Sequence, residues 1–64
     1  MIIRPEQLVG TWRRFGAAGP VYEILGAGRP VAGDDDQWMQ IRVVETGEEI
    51  AYRLSHILDD PRER

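Results

Sequence analysis

From Trp38 to Leu54 apolar and polar residues alternate along two arms of the chain. Met39, Ile41 and Val43 share one face of the first arm, and Ile50, Tyr52 and Leu54 share one face of the second. Side chains on a strand alternate with period two, so the pattern predicts an antiparallel hairpin with one core face. Both apolar sets stay inward if Val43 lies opposite Ile50, Ile41 opposite Tyr52 and Met39 opposite Leu54. That register needs a loop of two or four residues around Thr46-Gly47. Thr is a poor residue for the positive φ of a two-residue turn, which favours the four residues Glu45–Glu48.

Upstream, Pro5 to Gly10 predicts one helical turn, with Pro at its start, Glu6 in its first turn and Gly after its end. A strand over Thr11–Phe15 follows, then a loop by composition, Gly16-Ala17-Ala18-Gly19-Pro20. Val21–Ala27 is the next strand, with Tyr22 and Ile24 on one face and Val21, Glu23 and Leu25 on the other. Apolar residues on both faces predict a central, largely covered strand. Gly, Pro and Asp dominate the connection from Gly26 to Asp36 and are poor strand formers. After the hairpin, Ser55 is placed to cap a single helical turn, folding Ile57 and Leu58 over the open end of the sheet. Pro61 ends that turn, and Arg62-Glu63-Arg64 reads as a frayed tail. The predicted fold is all-β: a small SH3-like barrel, or a strongly bent four- to five-stranded antiparallel meander, with a short C-terminal helical turn.

The 64 residues make one domain, with an ordered core over about 8–60. A chain this short buries only about 60% of the surface exposed by its unfolded form, so its stability margin is thin. It has no cysteine and one histidine, which removes disulfides and a Cys/His metal site as staples. Stability must come from a compact core or from association with another chain. Trp12, Phe15, Tyr22, Trp38 and Tyr52 are the large side chains available to that core. No apolar run approaches the roughly 20 residues of a membrane span. The segment Met1–Pro5 is too short for a signal peptide. The expectation is a cytoplasmic protein without a membrane partner.

Net charge is −3 and unevenly spread. Residues 1–32 carry four arginines against two glutamates, and residues 33–64 four arginines against nine acids. An overall negative sign disfavours general binding to a phosphate backbone and suits a basic protein partner.

Signals for chemistry are weak. Ser55, His56, Asp59 and Asp60 contain the residue types of a nucleophilic triad, yet neighbours on a strand end or short turn point apart. Asp34-Asp35-Asp36 lacks the spaced ligands and distant bidentate carboxylate of a calcium loop. Gly26-Ala27-Gly28 lacks the third glycine and the following helix of a phosphate-binding turn. The expectation is therefore no catalytic residue, no metal ligand and no cofactor.

The outer face of the hairpin carries more weight. Trp38, Gln40, Arg42 and Val44 project there from one arm, and Glu49, Ala51, Arg53 and Ser55 from the other. A tryptophan near two arginines is the composition favoured in interface hot spots, which makes Trp38, Arg42, Arg53 and Glu49 the candidate partner-binding residues. The competing reading tucks Trp38 inward and pairs the arginines with nearby acids. Arg13 and Arg14, beside Trp12 and Phe15, form a second basic-aromatic cluster on which nucleic acid could stack.

At Arg14-Phe15-Gly16, Gly19-Pro20-Val21-Tyr22-Glu23 and Ile41 through Glu49, running on to Ile57-Leu58-Asp59-Asp60-Pro61, the chain resembles a family of very short bacterial proteins of unknown function. The resemblance covers most of residues 8–61. It implies a bacterial or mobile-element origin and brings no site residues. Size and charge fit a non-enzymatic module that docks on a larger protein and regulates or neutralises it, as antitoxins and inhibitors do. The alternatives are a small nucleic-acid-binding β-barrel and a structural homodimer.

Overall fold

The computed structural model describes residues 4–30 and 32–63. Met1–Ile3, part of the segment read against a signal peptide, lie outside them, as do Val31 and Arg64. A 3-10 turn over Pro5–Leu8 opens the described chain and buries Leu8. It is closed by Gln7 N–H to Arg4 O at 2.9 Å, with Arg4 N–H donating back to Gln7 Oε1 at 3.0 Å. Five strands follow: β1 Trp12–Arg14, β2 Val21–Ala27, β3 Trp38–Val43, β4 Glu49–Arg53 and β5 Arg62–Glu63. One helix, α1 Leu54–Asp59, separates β4 from β5.

The strands form a single antiparallel sheet in the order β4-β3-β2-β1-β5. Of the two predicted architectures, the open meander is the one formed. A closed barrel needs β4 to pair with β5, and these strands lie at opposite edges. β2 is central, and a bulge at Leu25 shifts its register against β3 between Ile24 and Gly26, which bends the strand. Only one face of β2 is covered: Tyr22 and Ile24 are fully buried, while Val21, Glu23 and Leu25 are half-exposed.

The hairpin keeps the predicted facing but not the predicted register. Ile41 lies opposite Ile50, Met39 opposite Tyr52 and Trp38 opposite Arg53, so the second arm has slid by two residues. Gly47 decides this. It adopts φ +76° at the last position of the loop, its N–H donates to Val43 O at 2.7 Å, and Val43 N–H donates to Glu48 O at 2.8 Å. The four loop residues are therefore Val44–Gly47, because the left-handed position must fall on the glycine. A slide of two leaves every side chain on its original face.

Leu54 does not extend β4 but starts α1, with its N–H held by Gln37 O at 2.7 Å. Ser55 is not the cap. Arg53 holds that position in extended conformation, and the Ser55 hydroxyl donates instead to Asp36 Oδ2 at 2.6 Å. Ile57 is fully buried under the sheet, but Leu58 on the next position of the six-residue helix stays exposed. Arg62 and Glu63 are not frayed. They pair with β1, placing Glu63 opposite Trp12 and Arg62 opposite Arg13, which satisfies backbone groups that β1 would otherwise present as an edge.

The core is Leu8, Tyr22, Ile24, Met39, Ile41 and Ile57, with Phe15, Ile50, Tyr52 and Leu54 packed at its margin. Each fully buried Ile or Met side chain contributes roughly 1.5–3 kcal/mol relative to exposure. Trp12 is not part of it. On β1 the inward position belongs to Arg13, only 7% exposed, and Trp12 faces outward at 43%.

Candidate functional site

The sheet has two unlike faces. α1 and the 3-10 turn pack on the inner one; among the described residues no helix covers the outer one. Strand register assembles that outer face row by row. One row crosses all five strands, Glu63–Trp12–Glu23–Arg42–Glu49. Arg14 and Val21 pair on one side of it, where Val44 N–H also donates to Val21 O. On the other side Gln40 pairs with Ala51 and Trp38 with Arg53. The four candidate binding residues, Trp38, Arg42, Arg53 and Glu49, thus share one surface.

The two-residue slide changes their partners. Arg42 lies opposite Glu49 rather than Ala51, and its guanidinium reaches Glu23 Oε1 on β2 at 2.8 Å. Arg53 lies opposite Trp38 rather than Gln40, with its guanidinium carbon 4.8 Å from the Trp38 ring centroid. A cation over an indole face at such an exposed site contributes about 0.5–1 kcal/mol. Trp38 is half-buried beneath it, and its indole N–H is buried without an acceptor among the described residues.

The other side of Arg53 is held by the acidic loop. Nη2 lies 3.0 Å from Asp34 Oδ2, and Nη1 lies 3.7 Å from Asp36 Oδ2. Asp36 also receives the Ser55 hydroxyl. That hydrogen bond is the main reason its carboxyl sits below the usual range, with a backbone bond from Gln37 and the Arg53 charge adding to it against partial burial. The run Asp34–Asp36 therefore functions as a clip across the end of the hairpin. Gly28, Pro30, Asp34–Asp36, Gln37 and Trp38 line a shallow hollow of about 300 Å³ there. Among the described residues no three His, Asp or Glu side chains converge on a metal position.

A second cluster lies on the inner face at Asp60. Oδ2 accepts the hydroxyls of Tyr22 at 2.7 Å and Tyr52 at 3.2 Å, and Oδ1 accepts Gly16 N–H at 3.0 Å. The backbone oxygen accepts Arg13 Nη1 at 2.8 Å. Phe15, Tyr22 and Tyr52 stack edge and tilt with centroids 4.4–5.6 Å apart, and His56 lies against Tyr52. Burial, reinforced by the Asp60 carboxylate, pushes the Tyr22 phenol far above its ordinary value and raises Tyr52 in the same way. Both phenols stay protonated donors. Ser55 and His56 serve separate contacts, the first to Asp36 and the second to Tyr52.

Sequence reasoning missed Trp12 as a member of the outer face. In a strand of three residues the alternation can be read either way. The usable signal was Phe15, which is needed in the core and shares parity with Arg13 rather than with Trp12.

The chain matches, over residues 1–64, the model of a family of unknown function (DUF5397), and it belongs to that family. An uncharacterized protein of Haemophilus influenzae is 34% identical over 61 residues, which span 95% of this chain and 95% of that relative. Fold and family together define a small bacterial β-sheet protein. No helix is long and apolar enough to cross a membrane among the described residues.

Proposed function

We propose that this chain is a non-enzymatic protein-binding module that docks through the helix-free face of its sheet, in the cytoplasm of a bacterium. One observation carries the reading: a row of outward residues spans all five strands with an open tryptophan, Trp12, within it and no helix or strand of the described residues packed over it. Trp and Arg are the side chains most often found at the energetic centre of interfaces. The strand order, with α1 between β4 and β5, suits an SH3-like module left open rather than closed into a barrel. The partner is either a larger protein that is regulated by being covered, or another copy of the chain.

Nucleic acid is the weaker reading. Arg14, Arg42 and Arg53 each already hold a carboxylate, from Glu63, Glu23 and Asp34 respectively. A polyanion would have to displace those partners.

Affinity capture with the wild-type chain, Trp12→Ala and Leu58→Ala tests the proposal. Trp12 and Leu58 are equally exposed but lie on opposite sides of the sheet. Protein association lost with Trp12→Ala and kept with Leu58→Ala supports the outer face. Association indifferent to Trp12 rejects it.

A further inference from the structure

We infer that β4 is a self-pairing edge: two copies of this chain join antiparallel along Glu49–Arg53, about a two-fold axis at Ala51, into one continuous sheet. This surface is separate from the helix-free face and does not depend on what that face binds.

The backbone is the first support. β4 pairs with β3 on one side and with no strand on the other. Val43 N–H donates to Glu48 O and Leu54 N–H to Gln37 O, so the even-numbered residues of this arm turn their backbone groups towards β3. In an antiparallel ladder the intervening residues turn theirs the other way. Glu49, Ala51 and Arg53 therefore aim their N–H groups away from the sheet, and no turn or loop among the described residues bonds to them. Natural sheets blunt such an edge with Pro, Lys, a bulge or a very short strand. The opposite edge follows that rule, β5 being two residues long. β4 has five residues, neither Pro nor Lys, and no bulge in its pairing.

The side chains name the occupant. The order along β4 is acid, apolar, small, apolar, base: Glu49-Ile50-Ala51-Tyr52-Arg53. Antiparallel self-pairing centred on Ala51 sets Glu49 opposite Arg53, Ile50 opposite Tyr52 and Ala51 opposite itself. Opposite charges, and an aromatic facing a β-branched residue, are favourable cross-strand pairs. Ile50 and Tyr52 sit half-buried at the margin of the core, and the pairing extends that core across the axis. Glu49 makes no ion pair among the described residues. Arg53 is held by Asp34 and Asp36, yet its side chain stays 39% exposed, and a guanidinium has more donors than those contacts use. Centring the axis on Glu49 or on Arg53 instead would oppose like charges. An unrelated extended peptide could fill the backbone bonds, but only a second copy brings this matching, which is the self-complementarity of an isologous interface.

Sedimentation velocity of the full chain from nanomolar to high micromolar concentration, paired with residue-resolved amide hydrogen exchange, is the test. The chains are wild type, Ala51→Pro, Glu49→Arg, Leu58→Ala and Trp12→Ala, with circular dichroism reporting the fold. The expected result is a wild-type dimer that dissociates on dilution, with the Ala51 amide protected only in the dimer. Ala51→Pro removes the N–H at the axis and no bond to β3, and should raise the dissociation constant at least about tenfold. Glu49→Arg opposes two cations and should raise it about fivefold or more. Leu58→Ala should leave it unchanged. Should Ala51→Pro fail to fold, Glu49→Arg and the amide protection still decide. A wild type that is monomeric throughout overturns the inference, whatever other chain adds to the edge. So does a dimer whose Ala51 amide exchanges as in the monomer, or one indifferent to Glu49→Arg. A dimer lost with Trp12→Ala and kept with Ala51→Pro puts the contact on the helix-free face and also overturns it.

Discussion

The Tyr22 hydroxyl donates a 2.7 Å hydrogen bond to Asp60 Oδ2, joining the central strand to the residue that caps the C-terminus of α1. Three further groups converge on Asp60: Tyr52 on Oδ2, Gly16 N–H on Oδ1 and Arg13 on the backbone oxygen. One residue thus ties β1, β2, β4 and the β1–β2 loop to the end of α1. A hydrogen bond to a charged acceptor contributes about 1.5–3 kcal/mol. Tyr22→Phe is expected at the lower end of that range, because Tyr52 remains on the same oxygen. Asp60→Ala removes every side-chain acceptor at once and should cost more. Urea titrations of the two variants check the order; a Tyr22→Phe loss larger than that of Asp60→Ala would contradict the hub.

The same pair sets an alkaline limit. Tyr22 and Tyr52 have raised pKa values in the fold because burial, aided by Asp60, disfavours the phenolate. Unfolded tyrosines ionise near pH 10. Above that pH the unfolded chain releases protons that the native chain keeps, so stability falls as pH rises. The urea midpoint should hold steady between roughly pH 7 and pH 9 and drop above roughly pH 10. Tyr22→Phe should flatten most of the drop.

Arg53 should hold the acidic loop against Trp38. In a Trp12→Phe background, where Trp38 is the sole indole, Arg53→Ala should shift emission to the red. The stability cost should stay at or below about 1 kcal/mol, as for exposed ion pairs and cation–π contacts. Asp36 contributes in the opposite pH sense from the tyrosines. Its depressed carboxyl, held chiefly by Ser55, stabilises the clip above the ordinary carboxyl range and stops doing so as pH falls through the lowered value. Acid titration of Trp38 emission should therefore reproduce the Arg53→Ala shift, and Ser55→Ala should move that transition to higher pH.

Two glycines should differ sharply in tolerance. At Gly47, φ +76° with open space around it, alanine should cost about 1 kcal/mol of left-handed strain. At Gly19 a Cβ would be driven onto the backbone oxygen of Phe15 and within 2.7 Å of its Cβ. Gly19→Ala must open the β1–β2 loop, and its cost should exceed about 2 kcal/mol. Thermal melts of both variants give the comparison.

Alternation along Trp38–Leu54 and Val21–Ala27 was enough to identify three strands of the meander, their inward residues and the central position of β2. Backbone geometry alone forces neighbouring side chains to opposite faces, so that information is local. The same local rule made Trp38, Arg42, Arg53 and Glu49 legible as one surface. It could not fix the register, because a slide of two residues preserves every facing. Gly47 resolved that only through the loop it closes.

Other features were decided by residues far apart in sequence. Arg13 is inside and Trp12 outside because Asp60, 47 positions after Arg13, supplies the acceptor that makes a buried guanidinium tolerable. Arg62 and Glu63 become a strand because β1 offers an unfilled edge, which no property of the tail reveals. The sheet stays open because α1 carries the chain from one edge to the other across the inner face. By itself, then, the sequence determined which residues alternate and hence which faces exist. Only the tertiary structure decided which face is covered, since that depends on where distant segments find partners for their hydrogen bonds and apolar surface.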